Sequence, residues 1–172
     1  MIDQIDEIIK SSLTTLAEDI ASGWTGRRER EVVSLFCFGH LLRHCRPGSF
    51  LLDPTQIAIE VAIPQIPGQT ALTGKVGSKK QVCKDIVIWP KARMTCWDDT
   101  GKPTVKPASV IEWKHNEDAI SDYDVQWLCE FSAQVPNFVG YAISSNQPAR
   151  GYKLSCTRVF HGEAEAKWLY LV

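Results

Sequence analysis

Isoleucine and leucine recur at steps of three and four from the amino terminus: Ile2, Ile5, Ile9, Leu13, Leu16 and Ile20. This spacing lays an apolar stripe along one side of a helix that should stop near Gly23. A second helix is expected after Thr25 as its N-cap, running to about Cys45 and closed by Pro47 and Gly48, with Glu31, Leu35, Phe38, Leu42 and Cys45 along one side. The period then changes to two. From Gln56 to Ile63, Ile57, Ile59, Val61 and Ile63 alternate with Ala58, Glu60 and Ala62, the pattern of a strand, and Pro64 and Pro67 end it. The stretch from Gln65 to Lys80 is rich in Gly, Ser and Lys and reads as an exposed loop.

Two apolar strands carrying charges follow. One is Lys84-Asp85-Ile86-Val87-Ile88-Trp89 and the other Ser109-Val110-Ile111-Glu112-Trp113-Lys114. Their connection, Pro90 to Pro107, holds a turn signal at Asp98-Asp99-Thr100-Gly101, so the two strands are expected as antiparallel neighbours. Ser121 then caps a helix from about Asp122 to Gln134, with Asp124 completing the capping pattern, Pro136 marking the end, and Val125, Leu128, Ser132 and Val135 facing inward. Phe138 to Ser144 is a further strand, and Tyr152–Phe160 with Lys167–Val172 suggests a closing hairpin or two edge strands.

At 172 residues and 44% hydrophobic, the chain is sized for one domain with a core of its own. The net charge of −1 conceals an uneven distribution: residues 75 to 114 hold nine Lys or Arg against four Asp or Glu, while Lys10 is the only basic residue among the first 23. A basic middle fits nucleic acid, and it also fits a merely soluble surface. The six cysteines are scattered without a Cys-x-x-Cys pair, which disfavours a zinc site or a disulfide scaffold. The start has no secretion-signal layout and no run approaches a membrane span, so a cytoplasmic, reduced protein is expected, without membrane partners.

Glu112 and Lys114, two apart on a strand, project from one face. An acid beside a base there has a ready purpose if Asp85 and Glu112 hold a divalent metal and Lys114 meets the charge of a phosphate under attack. The competing reading is a solvent-facing Glu/Lys pattern on an edge strand, although Val110, Ile111 and Trp113 call for burial on the other face. The order helix, strand, strand with Asp, strand with Glu-x-Lys, helix, strand resembles the PD-(D/E)XK nuclease superfamily over roughly Arg27 to Ser144.

The resemblance implies an α/β fold, a central mixed β-sheet flanked by helices with a restriction-endonuclease-like αβββαβ core at 27–144. To this the chain would add an accessory helix at 1–23 and terminal strands at 150–172. It implies Mg²⁺, with Mn²⁺ as substitute, bound by Asp85 and Glu112, Lys114 assisting hydrolysis of DNA, and no small-molecule cofactor. Glu31 would match the additional helix carboxylate that many members bring to the metal. Gln126 would match the helix Gln of RecB-like and Cas4-like members, steadying the site, although Glu130 stands where those members carry Tyr. The family's Pro before the Asp is replaced by Lys84.

Arg27, Arg28 and Arg30, cations expected in a first helical turn, oppose the helix dipole; a DNA backbone would relieve that conflict, as would solvent screening. Lys79 and Lys80 join them as candidate DNA contacts. Glu31 also suits the dipole without any metal, and Glu60 is a further carboxylate that could approach the cluster. His40 and His44 have helical metal-pair spacing but lack a third ligand, so they are expected on the helix surface. His115 follows Lys114 and suits proton transfer or a structural strand end equally. A non-cleaving nucleic-acid-binding module of the same fold is the first alternative. An assembly protein is the second, forming a homodimer through the first helix and Trp24, Trp97 and Trp168.

Overall fold

Six strands form one open mixed sheet in chain order: β1 (Ile57–Pro64), β2 (Gln81–Ile88), β3 (Ser109–His115), β4 (Val139–Asn146), β5 (Lys153–Phe160) and β6 (Glu163–Leu171). The computed structural model describes residues 1–24, 26–66, 81–117, 119–146 and 153–171, with 166–171 described by backbone alone. Thr25, Pro67, Lys79, Lys80 and most of the expected 65–80 loop lie outside the described residues, as does the side chain of Trp168. Neighbouring strands are antiparallel except β3 and β4, which run parallel. A parallel pair needs a long crossover, here supplied by helix α3 (Asp122–Gln134). The expected mixed α/β sheet flanked by helices is thus present, β2 and β3 are antiparallel neighbours, and the terminal strands form a hairpin turned at His161 and Gly162, both left-handed.

One face of the sheet is covered by α1 (Ile2–Ala21) and by α2 (Glu29–Ser34), which continues through π-helical turns at Leu35–His40 and a 3-10 turn at Leu41–His44. Their apolar residues pack on Ile86, Ile88, Ile111, Trp113, Tyr141 and Ile143. The expected stripe of α1 lies in this core, and Asp6 beside it accepts from Tyr141 Oη (2.6 Å) and Arg158 Nε (2.8 Å). The stripe is therefore covered by the chain's own sheet. On the other face, Trp127, Leu128 and Phe131 of α3 meet Val87, Val110, Ala142 and Val159. Gly140 lets α3 sit close: a Cβ there would stand 2.7 Å from Leu128 Cδ2.

Several expectations are corrected. The second helix starts at Glu29, with Arg28 as its N-cap rather than Thr25, because the Glu31 carboxylate accepts the Arg27 and Arg28 N–H groups at 2.8 and 3.3 Å. Its buried side is Val32, Val33, Phe36, Cys37, His40 and Leu41, while Phe38 is 65% exposed. Both apolar sets keep steps of about four, so periodicity alone could not choose between them. His40 is buried, not superficial; its Nδ1 meets Thr15 Oγ1 at 2.8 Å and its Nε2 faces Asp19 at 3.2 Å, tying α2 to α1. On α3, Trp127 and Phe131 join Leu128 and Ser132 inside, while Val125 is only half-buried. Trp24 and Trp97 also pack partly into the two cores, so neither is a free aromatic surface.

β1 does not keep one face throughout. Ile57 and Ile59 join the α1/α2 core, whereas Val61 and Ile63 join the α3 core, because Glu60 between them is left-handed (φ 53°). β2 changes face opposite the same point. Lys84, paired with Val61, lies over Trp127 on the α3 side, while Ile86, paired with Ile59, belongs to the other core. Asp85 stands where the alternation inverts.

Candidate active site

The β2–β3 ladder runs only from Ile88↔Ser109 to Ile86↔Ile111. Beyond it the strands part, and Asp85 fills the next rung with its side chain: Oδ2 accepts the Trp113 N–H at 2.7 Å. Trp113 turns its ring against Phe36 in one core (centroids 5.2 Å apart), so its neighbours Glu112 and Lys114 must point to the α3 face. β3 is a central strand and Glu112 is 5% exposed, which overturns the solvent-facing edge-strand reading. Asp85, Glu112 and Lys114 therefore meet at the fork. They line a cleft of about 310 Å³ together with Lys84, Cys83, Tyr123 and Asp124. On its other side Asp85 borders a second cleft of about 280 Å³, whose walls include Arg28, Glu29, Arg30 and Glu60.

Charges alternate through the fork. The Lys84 ammonium pairs with Glu112 Oε1 and stands 3.6 Å from the Trp127 ring centroid. The Lys114 ammonium donates to the Trp113 carbonyl at 3.0 Å and lies 3.4 Å from Asp124 Oδ2. Burial opposes the charge on Lys114, but Asp124, Asp85, Glu112 and Glu29 outweigh it and raise the pKa. Burial also pushes Glu112 up to about 7, with Asp85 and Asp124 adding to the rise and Lys84 resisting it. Glu29, half-buried at the start of α2, accepts the His115 N–H at 3.2 Å; its pKa is raised by burial and then by Asp85.

The Glu112 shift has a measurable consequence. A carboxyl whose folded pKa lies above its ordinary 4.5 binds its proton more tightly in the folded chain, so ionisation works against folding. Stability is lost as pH rises from about 4.5 through about 7, by on the order of 3 kcal/mol. Urea unfolding between pH 4.5 and 8 should show that decline, and Glu112→Gln should flatten it. An identical slope in the variant would assign the decline to other groups.

The other expected site residues are placed as follows. Glu31 is exposed and closes the capping box of α2 from the third helical position; its N–H bonds from Arg27 and Arg28 hold its pKa low, and the helix carboxylate at the fork is Glu29. Glu31→Ala is accordingly expected to lower the melting temperature slightly and leave any cleavage at the wild-type rate, which parallel melts and assays would check. Gln126 donates to Glu130 Oε1 at 3.1 Å along α3, and the residues of α3 that line the cleft are Tyr123 and Asp124. Arg28 and Arg30 border the second cleft, where Arg30 also pairs with Glu60 at 2.7 Å, and Arg27 is exposed. His115 bridges Ser145 Oγ (3.0 Å) and the Gly26 carbonyl (3.2 Å), the structural one of its two expected uses. Lys79 and Lys80 lie outside the described residues.

Comparison with protein-family models, curated proteins and solved structures finds no match. The chemistry of the site must be read from its own groups.

Four carboxylates (Glu29, Asp85, Glu112, Asp124) stand around two ammonium groups (Lys84, Lys114), and the negative charge of Asp85 adds to the effect of burial in raising the pKa of both Glu29 and Glu112. Among the described residues no group of three or more His, Cys, Asp or Glu side chains is placed to hold a metal ion. Asp85 and Glu112 are the hard oxygen donors in the cleft that would hold one, and a Mg²⁺ ion bound by one or two carboxylates completes its shell with water and phosphate. Lys84, Glu29, Asp124 and Tyr123 were not read from the sequence as site members. The one available signal was Lys84, a lysine set inside an apolar run directly before the acid.

Proposed function

We propose that the protein is a Mg²⁺-dependent nuclease that hydrolyses phosphodiester bonds in DNA, built on a PD-(D/E)XK-like core. The observation that carries this reading is the convergence of Asp85, Glu112 and Lys114 at the point where β2 and β3 separate. The order α2, β1–β2–β3 meander, α3 and parallel β4 supports the αβββαβ assignment. It leaves α1 and the β5–β6 hairpin as additions around it.

Asp85 and Glu112 would hold the metal, which when bound polarises a phosphate oxygen and lowers the pKa of water. The protein's own part is positional. The Asp85 bond to Trp113 N–H fixes one carboxylate beside β3, and the Lys84 ammonium holds the other. Lys114, kept charged by its carboxylate neighbours, faces the developing negative charge on the phosphate and orients the attacking water. Arg28 and Arg30 lie along the adjoining cleft, where a phosphate backbone approaching Asp85 would meet them.

The test is cleavage of labelled duplex, single-stranded and branched DNA with Mg²⁺ or Mn²⁺, against EDTA and against Lys114→Ala. Cutting that needs the metal and falls to a small residual rate in Lys114→Ala is the expected result. Wild-type protein that neither cuts any of these DNAs nor binds Mn²⁺ would end the nuclease reading and favour a binding or assembly role.

A further inference from the structure

Asp124 is a buried carboxylate with no assigned task. Its side chain is 7% exposed, and Oδ2 accepts no hydrogen bond among the described residues. Capping does not explain it, because the cap of α3 is Ser121, whose Oγ accepts the Asp124 N–H. An acidic first-turn residue benefits from the helix dipole while remaining in water, so the dipole gives no reason for burial either. Burying a carboxylate is costly unless it is paired. The charge it meets is the Lys114 ammonium, 3.4 Å away, on the wall of the cleft that also holds Asp85 and Glu112.

We propose that Asp124 is a positioning residue that acts through Lys114, holding its ammonium over the fork between Asp85 and Glu112. Lysine is a point charge on a flexible four-carbon stem, and an ammonium free to wander contributes little to a transition state. Here two oxygens restrain it: the Trp113 carbonyl from its own strand and the Asp124 carboxylate from the crossover helix. The geometry is assembled by the fold itself, since the parallel β3–α3–β4 connection brings the first turn of α3 back beside the end of β3. This inference rests on the nuclease reading for its consequence in cleavage, though not for the contact.

The test is a double-mutant cycle with Asp124→Asn, which keeps the size and the carbonyl but removes the charge, and Lys114→Ala. Asp124→Asn should lower kcat roughly 10- to 100-fold with KM little changed, as expected for a misplaced group. Added to Lys114→Ala, it should cost nothing further. A structural role would instead lower the melting temperature and reduce activity equally in both backgrounds. That result, or wild-type kcat in Asp124→Asn, would overturn the proposal.

The contact itself is read without activity from the ¹⁵N ammonium signal of Lys114, assigned by its loss in Lys114→Arg. It should be visible in the wild type and broadened or lost in Asp124→Asn; a signal indifferent to Asp124→Asn would overturn the contact. Wild-type protein that cuts no DNA would end the nuclease reading and Asp124's part in cleavage with it, while the ammonium signal still decides the contact separately.

Discussion

Asp85→Asn is expected to remove metal-dependent cleavage by roughly 10²- to 10³-fold or more while leaving the melting temperature near that of the wild type. The two halves of this result follow from two tasks of one side chain. Oδ2 accepts the Trp113 N–H at 2.7 Å, replacing the ladder bond that the parting strands cannot make. The negative charge is what would draw a divalent cation to the fork. Asparagine keeps an acceptor of the same shape and loses the charge, so it separates the tasks. Alanine loses both: the Trp113 N–H is left without a partner in the core, at about 1–3 kcal/mol, and the mouth of the fork loosens. Asp85→Ala should therefore be inactive and visibly destabilised, and Asp85→Asn inactive alone. Single-turnover cleavage, Mn²⁺ titration and urea melts on the same preparations decide the matter. Cutting by Asp85→Asn at the wild-type rate would sink the role given to this carboxylate.

The distance between the sequence reading and the structure has physical causes that differ from residue to residue. Strands β2 and β3 and helix α3 were legible because their patterns are local: apolar runs bounded by Pro and Gly, and a serine cap before a periodic stretch. Asp85, Glu112 and Lys114 were legible because charges on a buried strand are conspicuous against their neighbours. The inward side of α2 was not legible, since Val32–Phe36–His40 and Glu31–Leu35–Phe38–Leu42 each satisfy helical spacing, and only contact with the sheet selects one. The choice between Glu29 and Glu31 depended on where that helix begins. A shift of the N-cap from Thr25 to Arg28 makes Glu31 the N3 residue that closes the capping box and puts Glu29 in the cleft with Asp85. Asp124 looked like a capping residue because its position in the first turn is what a cap pattern demands; its burial against Lys114 arises from the crossover. The face switch at Glu60 and Asp85 was invisible for a further reason: alternation is assumed to persist until a Gly or Pro interrupts it, and here a glutamate takes the left-handed conformation.

Lys84 shows most directly how a residue with no pattern of its own becomes central. Its partner Glu112 is 28 positions away, and only the β2–β3 pairing brings them together beneath Trp127. Lys84→Met, which keeps most of the side-chain length, leaves the Glu112 carboxyl in the same apolar surroundings without its counter-charge. Breaking a buried pair from one side costs about 3–5 kcal/mol, because the remaining charge is uncompensated. That loss is expected at pH 8. Lys84 resists the upward shift of Glu112, so its removal raises the folded pKa above about 7, widens the gap from the ordinary 4.5 and deepens the penalty on the ionised form. At pH 5 the folded protein carries Glu112 protonated in both proteins, and the difference should shrink sharply. Adding Glu112→Leu to Lys84→Met should restore most of the stability, since replacing both members of a buried ion pair by apolar groups is often neutral or favourable. The doubly substituted protein should fold and fail to cut DNA. Urea unfolding of the wild type, the single variant and the double variant at pH 5 and pH 8 measures this directly. A Lys84→Met loss that is equal at the two pH values would mean that Lys84 stabilises the fold through packing on Trp127, with its charge on Glu112 contributing little.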